Sequence, residues 1–156
     1  MKNTKSRNEA CKTKIFYKKK IKTCLDIKKG VEKIFKAEGK INTGTNIVFS
    51  DDEELRRINL DFRMKNYPTD VISFPLTQHE KGYTGGDVFI SVDRAKKDAE
   101  KYGMSLDEEI ARLIIHGTLH ILGYDHEKQK DEKIMQEKEK KNKIFFIKRG
   151  KKQCSP

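Results

Sequence analysis

The stretch HGTLHILGYDH, residues 116–126, is the feature that most constrains how this 156-residue chain can fold. It holds three of the four histidines of the protein: His116, His120 and His126. His116 and His120 are four residues apart, so on an α-helix both rings lie on one face. A continuous helix would carry His126 roughly 15 Å beyond His116, too far for one ion with ligand bonds of about 2 Å. The chain must therefore turn between His120 and His126.

Gly123 stands where that turn is needed, because glycine adopts left-handed conformations at little cost and commonly follows a helix end. The helix before it is indicated by a capping-box pattern at Ser105 and Glu108 and by apolar residues at helical spacing up to Leu122. Imidazole is the commonest protein ligand for zinc-like ions, and three protein nitrogens with a water are a usual catalytic zinc site. The motif thus predicts a metal site on a C-terminal helix and the turn after it.

The same spacing, H-x3-H-x2-G-x2-H, matches zinc proteases of the metzincin type, in which a glutamate general base follows the first histidine. Here Gly117 takes that place, so no residue inside the motif can act as the base. The metal-bound hydroxide, a substrate hydroxyl or a carboxylate from elsewhere would have to do the work of the base. A metalloprotease is therefore a less favoured alternative. His79, in a glycine-containing loop, is expected to be solvated and not a fourth ligand.

The net charge of +11 is unevenly distributed along the chain. Residues 1–40 carry 14 Lys and Arg against 4 Asp and Glu, and residues 127–156 carry 11 against 5. Residues 41–126 are acidic, with 10 against 15. Basic flanks suit a polyanion such as RNA. A lysine-rich solvated surface explains the same composition equally well, so the charge permits an RNA partner without requiring one.

Membrane insertion and export are not expected for this sequence. No apolar run approaches the roughly 20 residues of a membrane span, and the basic start lacks the hydrophobic core of a signal peptide. Cys11, Cys24 and Cys154 are few, odd in number and far apart, which argues against a disulfide framework and against a structural zinc site. These features favour a cytoplasmic protein.

Strand and helix patterns follow one another along the chain. Strands are predicted at 46–50, 70–74 and 87–91, with a short edge strand within 12–20. Between them, helical periodicity predicts helices from about 25, from about 52 and from about 92. This order predicts an α+β or α/β sandwich around one small sheet. After residue 127 the pattern fades into a charged helix with Ile134 and Met135 as its obvious anchors.

Three segments together resemble the YbeY family, bacterial endoribonucleases that mature ribosomal RNA. The histidine motif carries the family pattern, with glycine after its first histidine and Tyr124 and Asp125 before its last. LDFRMKNYPTDVISFP, residues 60–75, is similar to the arginine-containing segment of the family. GGDVFIS, residues 85–91, is similar to the strand that follows it. The resemblance covers about residues 20–130.

The resemblance implies one zinc ion per chain, held by His116, His120 and His126, and a catalytic role for His116 and for Arg63 in the adjoining cleft. An arginine fork suits the nonbridging oxygens of a phosphodiester, although an arginine taken alone is more often a structural ion pair. Asp125 either orients a ligand histidine or caps the turn after the helix. The site is thus predicted by position, with the role of Asp125 left open.

The resemblance further implies a single α+β domain with a small mixed β-sheet and helices packed around it. It divides the chain into a basic N-terminal extension (1–19), a catalytic domain (20–137) and a basic C-terminal tail (138–156). The implied activity is that of a single-strand-specific, metal-dependent endoribonuclease in 16S rRNA 3′ end processing and ribosome quality control. Its partners would be rRNA, ribosomal particles and ribosomal or ribosome-associated proteins. The alternative is a zinc-stabilised RNA- or ribosome-binding factor without its own chemistry.

Overall fold

The computed structural model describes residues 12–40, 43–76 and 84–147. Within these ranges, strands and helices follow one another in the mixed order that the sequence predicts. The strands are β1 (Lys14–Tyr17), β2 (Thr43–Ser50), β3 (Val71–Pro75) and β4 (Thr84–Ser91). The helices are α1 (Ile27–Ala37), α2 (Asp52–Arg63), α3 (Val92–Tyr102), α4 (Leu106–Ile121) and α5 (Gln129–Asn142), followed by a short 3₁₀ turn (Lys143–Phe145).

The four strands form one mixed sheet in the order β1-β2-β4-β3. β1, β2 and β4 are parallel, and β3 pairs with β4 in the antiparallel sense. β1 lies at one edge, as the lysine-rich segment 12–20 predicts, since lysines discourage further strand pairing. The prediction of a single small α+β domain with a mixed sheet is confirmed. β1 lies within the stretch predicted as an N-terminal extension, whereas the division of the chain at residues 19 and 137 stays a prediction.

Helix α4 is the central element of the core. It packs mainly on β3 and β4, and its apolar side chains share one core with buried residues of β2 and β4. Leu113, Ile114 and Leu119 of α4 are fully buried, as are Ile47 of β2 and Val88 of β4. Full burial of each such side chain stabilises the fold by about 1.5–3 kcal/mol. This packing fixes the position of α4, and with it the position of the two histidines at the C-terminal end of the helix.

Helix α5 is more firmly docked than its charged sequence indicates. Met135 is 2% exposed, whereas Ile134, the other predicted anchor, is 38% exposed. Beyond the helix, the Phe146 ring lies so close to Gly30 of α1 that an added Cβ there would come within 2.4 Å of a ring carbon. One methionine and one distant phenylalanine give no helical periodicity, so the sequence pattern could not reveal this docking. Helix α5 and the residues up to Phe146 are thereby joined to the core that α1 and α4 form.

Within the described ranges, no helix is both long enough and apolar enough to cross a membrane. Cys24 takes part in a disulfide. The spacing of the cysteines did not predict this link, because separation along a chain does not determine which thiols a fold brings together. Cys11 and Cys154 lie outside the described residues, as does His79.

Candidate metal centre

The three histidines of the motif converge at the C-terminal end of α4. The Nε2 atoms of His116 and His120 lie 3.1 Å apart, and the ring centroid of His126 is 5.8 Å and 5.3 Å from those of His116 and His120. One ligand atom from each of the three lies within 4.8 Å of the others. Two nitrogens bound to a tetrahedral zinc ion, with bonds of about 2.05 Å, are about 3.3 Å apart. The donor set and its spacing therefore fit a metal ion of this kind.

The turn that brings His126 back is made as the sequence predicts. α4 ends at Ile121, and Gly123 adopts a left-handed conformation with φ of 92°. Its N–H donates to the carbonyl of His120, and the N–H of Tyr124 donates to the carbonyl of Leu119. An added Cβ at Gly123 would meet nothing within 4 Å, so glycine is favoured here by the backbone angle and not by space.

Gly117 is required by close packing. A Cβ at this position would lie 2.5 Å from Cγ1 of Val88 and 3.1 Å from Oγ of Ser73, because α4 rests directly on β4 and β3. The Ser73 hydroxyl donates to the Gly117 carbonyl at 3.2 Å. A zinc protease needs a glutamate at this point in the helix, and here the side chain would have to enter the core. The close packing of α4 on β3 and β4 therefore leaves no room for the glutamate base of a zinc protease.

The surroundings of His120 keep this histidine uncharged near neutral pH. Burial, together with the proximity of His116 and His126, lowers the pKa of His120 to about 4. Neutral imidazole is the form that binds a metal, since the proton and the ion compete for the same lone pair. The surroundings of His120 thus favour its ligand form.

A carboxylate from α5 completes the surroundings of His116. Oε1 of Glu139 lies 2.6 Å from Nδ1 of His116, and this hydrogen bond holds the pKa of Glu139 below its ordinary value. An ionised carboxylate only accepts, so Nδ1 carries the proton and donates, which leaves the lone pair of Nε2 free. Sequence reasoning missed Glu139, because 23 residues separate it from His116 and nothing distinguishes it from the other acidic residues of α5.

The turn after α4 is fastened to two other helices through Tyr124. Glu38 directly follows α1, and its Oε2 accepts a hydrogen bond from the Tyr124 hydroxyl at 2.5 Å. Nζ of Lys138 on α5 contacts both oxygens of the same carboxylate, at 3.0 and 3.1 Å. The Glu38 side chain is only 9% exposed. The hydrogen bond to Glu38 raises the pKa of Tyr124. Tyr124 therefore anchors the loop that carries His126.

Arg63 faces the histidines across a cleft of about 760 Å³. It is the last residue of α2, and its neighbour in the cleft wall, Lys65, is also exposed. Among the described residues Arg63 has no ion-pair partner. The alternative that this arginine forms a structural ion pair therefore finds no support in the described part of the chain. The residues that line the cleft include Arg63, Lys65, Ser73, His116, His120 and His126.

Asp125 bonds to the backbone beside it. Its Oδ1 accepts the N–H of His126 at 2.7 Å, while Nδ1 of the His126 ring is 3.6 Å away, beyond hydrogen-bond distance. Of the two roles left open for Asp125, the geometry supports capping of the turn.

Fold and site together define a small α+β protein with three convergent histidines and, in the same cleft, an arginine that has no ion-pair partner within the described ranges. The profile of the family described as Endoribonuclease YbeY matches residues 3–144, and the chain belongs to this family. It is 44% identical over 140 residues to the Endoribonuclease YbeY of a Sulfurihydrogenibium species, covering 86% of this chain and 90% of that protein. It is 46% identical over 107 residues to that of Aquifex aeolicus, covering 68% and 71%.

A solved structure agrees with these relatives. The chain is similar to the solution structure of TM1509 from Thermotoga maritima, with a TM-score of 0.64 and 30% sequence identity. The match covers 85% of this chain and 87% of that one. The resemblance inferred from the histidine motif and from residues 60–75 is thereby confirmed.

Proposed function

We propose that this protein is a metal-dependent endoribonuclease that cleaves single-stranded RNA during maturation of ribosomal RNA, at the 3′ end of 16S rRNA. The observation that carries the proposal is that three histidines and an exposed arginine line one cleft, in a chain of the Endoribonuclease YbeY family. We further propose that it acts in the cytoplasm, on ribosomal particles and with ribosomal or ribosome-associated proteins, and that it serves ribosome quality control.

His116, His120 and His126 would hold one zinc ion per chain. When bound, zinc supplies Lewis-acid chemistry, polarising a phosphoryl oxygen and lowering the pKa of water. Arg63 offers a planar fork of donors to the nonbridging oxygens of the scissile phosphodiester, where negative charge develops in the transition state. Because the arginine is free of carboxylate partners among the described residues, its donors are available for that contact.

The exposed aromatic residues on either side of Arg63 in the sequence favour a single-stranded substrate. Phe62 and Tyr67 are 70% and 53% exposed, and they lie in the same segment as the cationic residues Arg63 and Lys65. Unpaired bases stack on exposed aromatic rings, while cationic side chains bind the backbone that links the bases. Double-stranded RNA keeps its bases stacked on one another and gains little from such rings. This combination supports single-stranded RNA as the substrate.

The other candidate is a zinc-stabilised RNA- or ribosome-binding factor without catalysis, which the basic flanks would suit equally well. A metalloprotease is the least favoured, because the packing of Gly117 leaves no room for the glutamate base. The binding factor and the enzyme differ in what Arg63 does. In the enzyme it stabilises the transition state, whereas in the binding factor it is one of many phosphate contacts.

The decisive experiment measures zinc content and RNA cleavage side by side for the wild type and for Arg63→Ala. Loss of one donor to a developing oxyanion lowers the rate by about 100–1,000-fold, and we expect that loss here with zinc content unchanged. Arg57→Ala is the matched control, since Arg57 is an exposed arginine of the same helix outside the cleft lining. Undiminished cleavage by Arg63→Ala, or by wild-type protein freed of metal, would overturn the proposal.

A further inference from the structure

Helix α5 reaches the histidine cluster through one side chain, that of Glu139. We propose that Glu139 is a positioning residue for the metal centre, holding the His116 ring so that Nε2 faces the ion. Its Oε1 lies 2.6 Å from Nδ1 of His116, and both side chains are about three-quarters buried, at 26% and 24% exposed. The proposal rests on the metal site of the proposed function, but not on RNA cleavage.

A histidine can present either ring nitrogen to a metal, and the partner of the other nitrogen selects between them. At His116 the carboxylate of Glu139 accepts a hydrogen bond from Nδ1–H, so the lone pair of Nε2 stays free. Nε2 of His116 lies 3.1 Å from Nε2 of His120, a separation at which the two rings could share one ion. A carboxylate hydrogen-bonded to a ligand imidazole also makes the ring a stronger donor.

The part of α5 that carries Glu139 is anchored to the rest of the protein at two nearby residues. Met135, one turn earlier in α5, is buried in the core, and Lys138 is tied to the carboxylate of Glu38. Because this part of the helix is already fixed, Glu139 loses less side-chain entropy on contacting His116 than an exposed glutamate would. Glu137, on the same helix, is exposed and makes no hydrogen bond or ion pair within the described part of the chain. It carries the same charge without the contact.

The test is the zinc dissociation constant, measured by competition with a chelator at a fixed pH of about 7.5 and without RNA. Loss of such a carboxylate weakens metal binding about 10–100-fold, and we expect this for Glu139→Ala. Glu139→Gln should weaken zinc binding less, because the amide oxygen of glutamine can still accept the hydrogen bond from Nδ1–H of His116. Glu137→Ala removes the same charge from the same helix without removing a contact to His116. This variant should therefore bind zinc as the wild type does.

Zinc binding by Glu139→Ala that equals that of the wild type and of Glu137→Ala would overturn the proposal. Should the alanine variant not fold, nitrogen-15 spectra of zinc-loaded wild type decide the matter. They must show His116 bound through Nε2 with a proton on Nδ1, and coordination through Nδ1 would overturn the proposal. Wild type that binds no zinc would overturn the metal site as well, whereas zinc-bound wild type with an unaffected alanine variant would overturn the role of Glu139 alone.

Discussion

Two clusters in this protein each bring three groups that could bind a metal within 4.8 Å of one another, and only one of them is suited to hold an ion. The first is the histidine cluster, His116, His120 and His126. The second, the acidic cluster, consists of Asp70 of the segment before β3, Asp98 of α3 and Glu109 of α4. In the acidic cluster a guanidinium already supplies the positive charge that a metal would bring.

Arg112 is the residue that makes the difference. Its guanidinium lies 2.7 Å from Glu109 and 3.3 Å from Asp70, and the hydrogen bond to Glu109 raises the pKa of the arginine. Glu109 is 1% exposed, so the arginine is the cation that compensates its buried charge. The histidine cluster, one turn further along α4, presents imidazole nitrogens instead. Nearness of ligand atoms is thus insufficient, and the groups already paired with them decide what a cluster can bind.

The largest effect expected from this comparison is that of removing one histidine. His116→Ala should abolish stoichiometric zinc binding and lower RNA cleavage by about 1,000-fold or more, because two imidazoles no longer complete the three-ligand site. Asp98→Asn, in the acidic cluster, should leave zinc content at one ion per chain. Zinc content by metal analysis and cleavage of a single-stranded RNA are the measurements.

The outcomes of this experiment separate the remaining functions. Lost cleavage with retained fold and RNA binding would support the enzyme, whereas lost folding alone would support a structural metal in a binding factor. Zinc lost from Asp98→Asn but not from His116→Ala would reverse the comparison and place the ion in the acidic cluster.

A smaller effect is expected in the acidic cluster when its cation is removed. Arg112→Met leaves Glu109 buried without a counter-charge, and breaking a buried pair in this way costs about 3–5 kcal/mol. Since Arg112 is 40% exposed, water can enter, and we expect a loss of about 2–3 kcal/mol in the free energy of unfolding. Urea unfolding measures it. Adding Glu109→Gln should recover most of the loss, and an unchanged midpoint in Arg112→Met would show that the pair does not compensate a buried charge.

The sequence predicts the histidine cluster far better than the groups that support it. The positions of His116 and His120 follow from helix geometry, and the return of His126 follows from the conformation of Gly123, all within 11 residues of chain. Glu139 owes its role to a contact with a residue 23 positions away, and, although the pair of Arg112 with Glu109 is local, the acidic cluster is completed by a contact of Arg112 with Asp70, 42 positions away. Such pairings depend on how α5 and β3 dock on α4, and neither periodicity nor spacing contains that information.

The same distinction applies to the fold. The edge strand β1, the cap of α4 and its turn are set by local residue types, and the sequence predicts them. The docking of α5 rests on Met135 and on the fit of Phe146 against Gly30, and no local pattern in a charged segment signals it. Tertiary contacts made by a few isolated apolar residues are therefore what the sequence analysis could not supply.

The smallest expected effect distinguishes the two clusters by pH. In the folded protein the pKa of His120 is about 4, chiefly because of burial, against an ordinary value of about 6.5. As the pH falls from about 6.5 towards 4, the unfolded chain therefore takes up a proton that the folded chain does not, and stability falls. Because His120 is partly exposed, we expect the metal-free protein to lose about 1–2 kcal/mol of unfolding free energy over this range.

His120→Gln should remove this part of the pH dependence, because glutamine does not titrate. The double variant Arg112→Met with Glu109→Gln should keep the part of the loss that His120 causes, since neither replacement titrates and His120 stays in place. Urea unfolding of metal-free wild type and of both variants at pH 7.5 and pH 4.5 gives the comparison. Equal losses in the wild type and in His120→Gln would mean that His120 is protonated as readily in the folded chain as in the unfolded one. The cluster would then not be held in its ligand form by the fold, and zinc binding would have to displace protons near neutral pH.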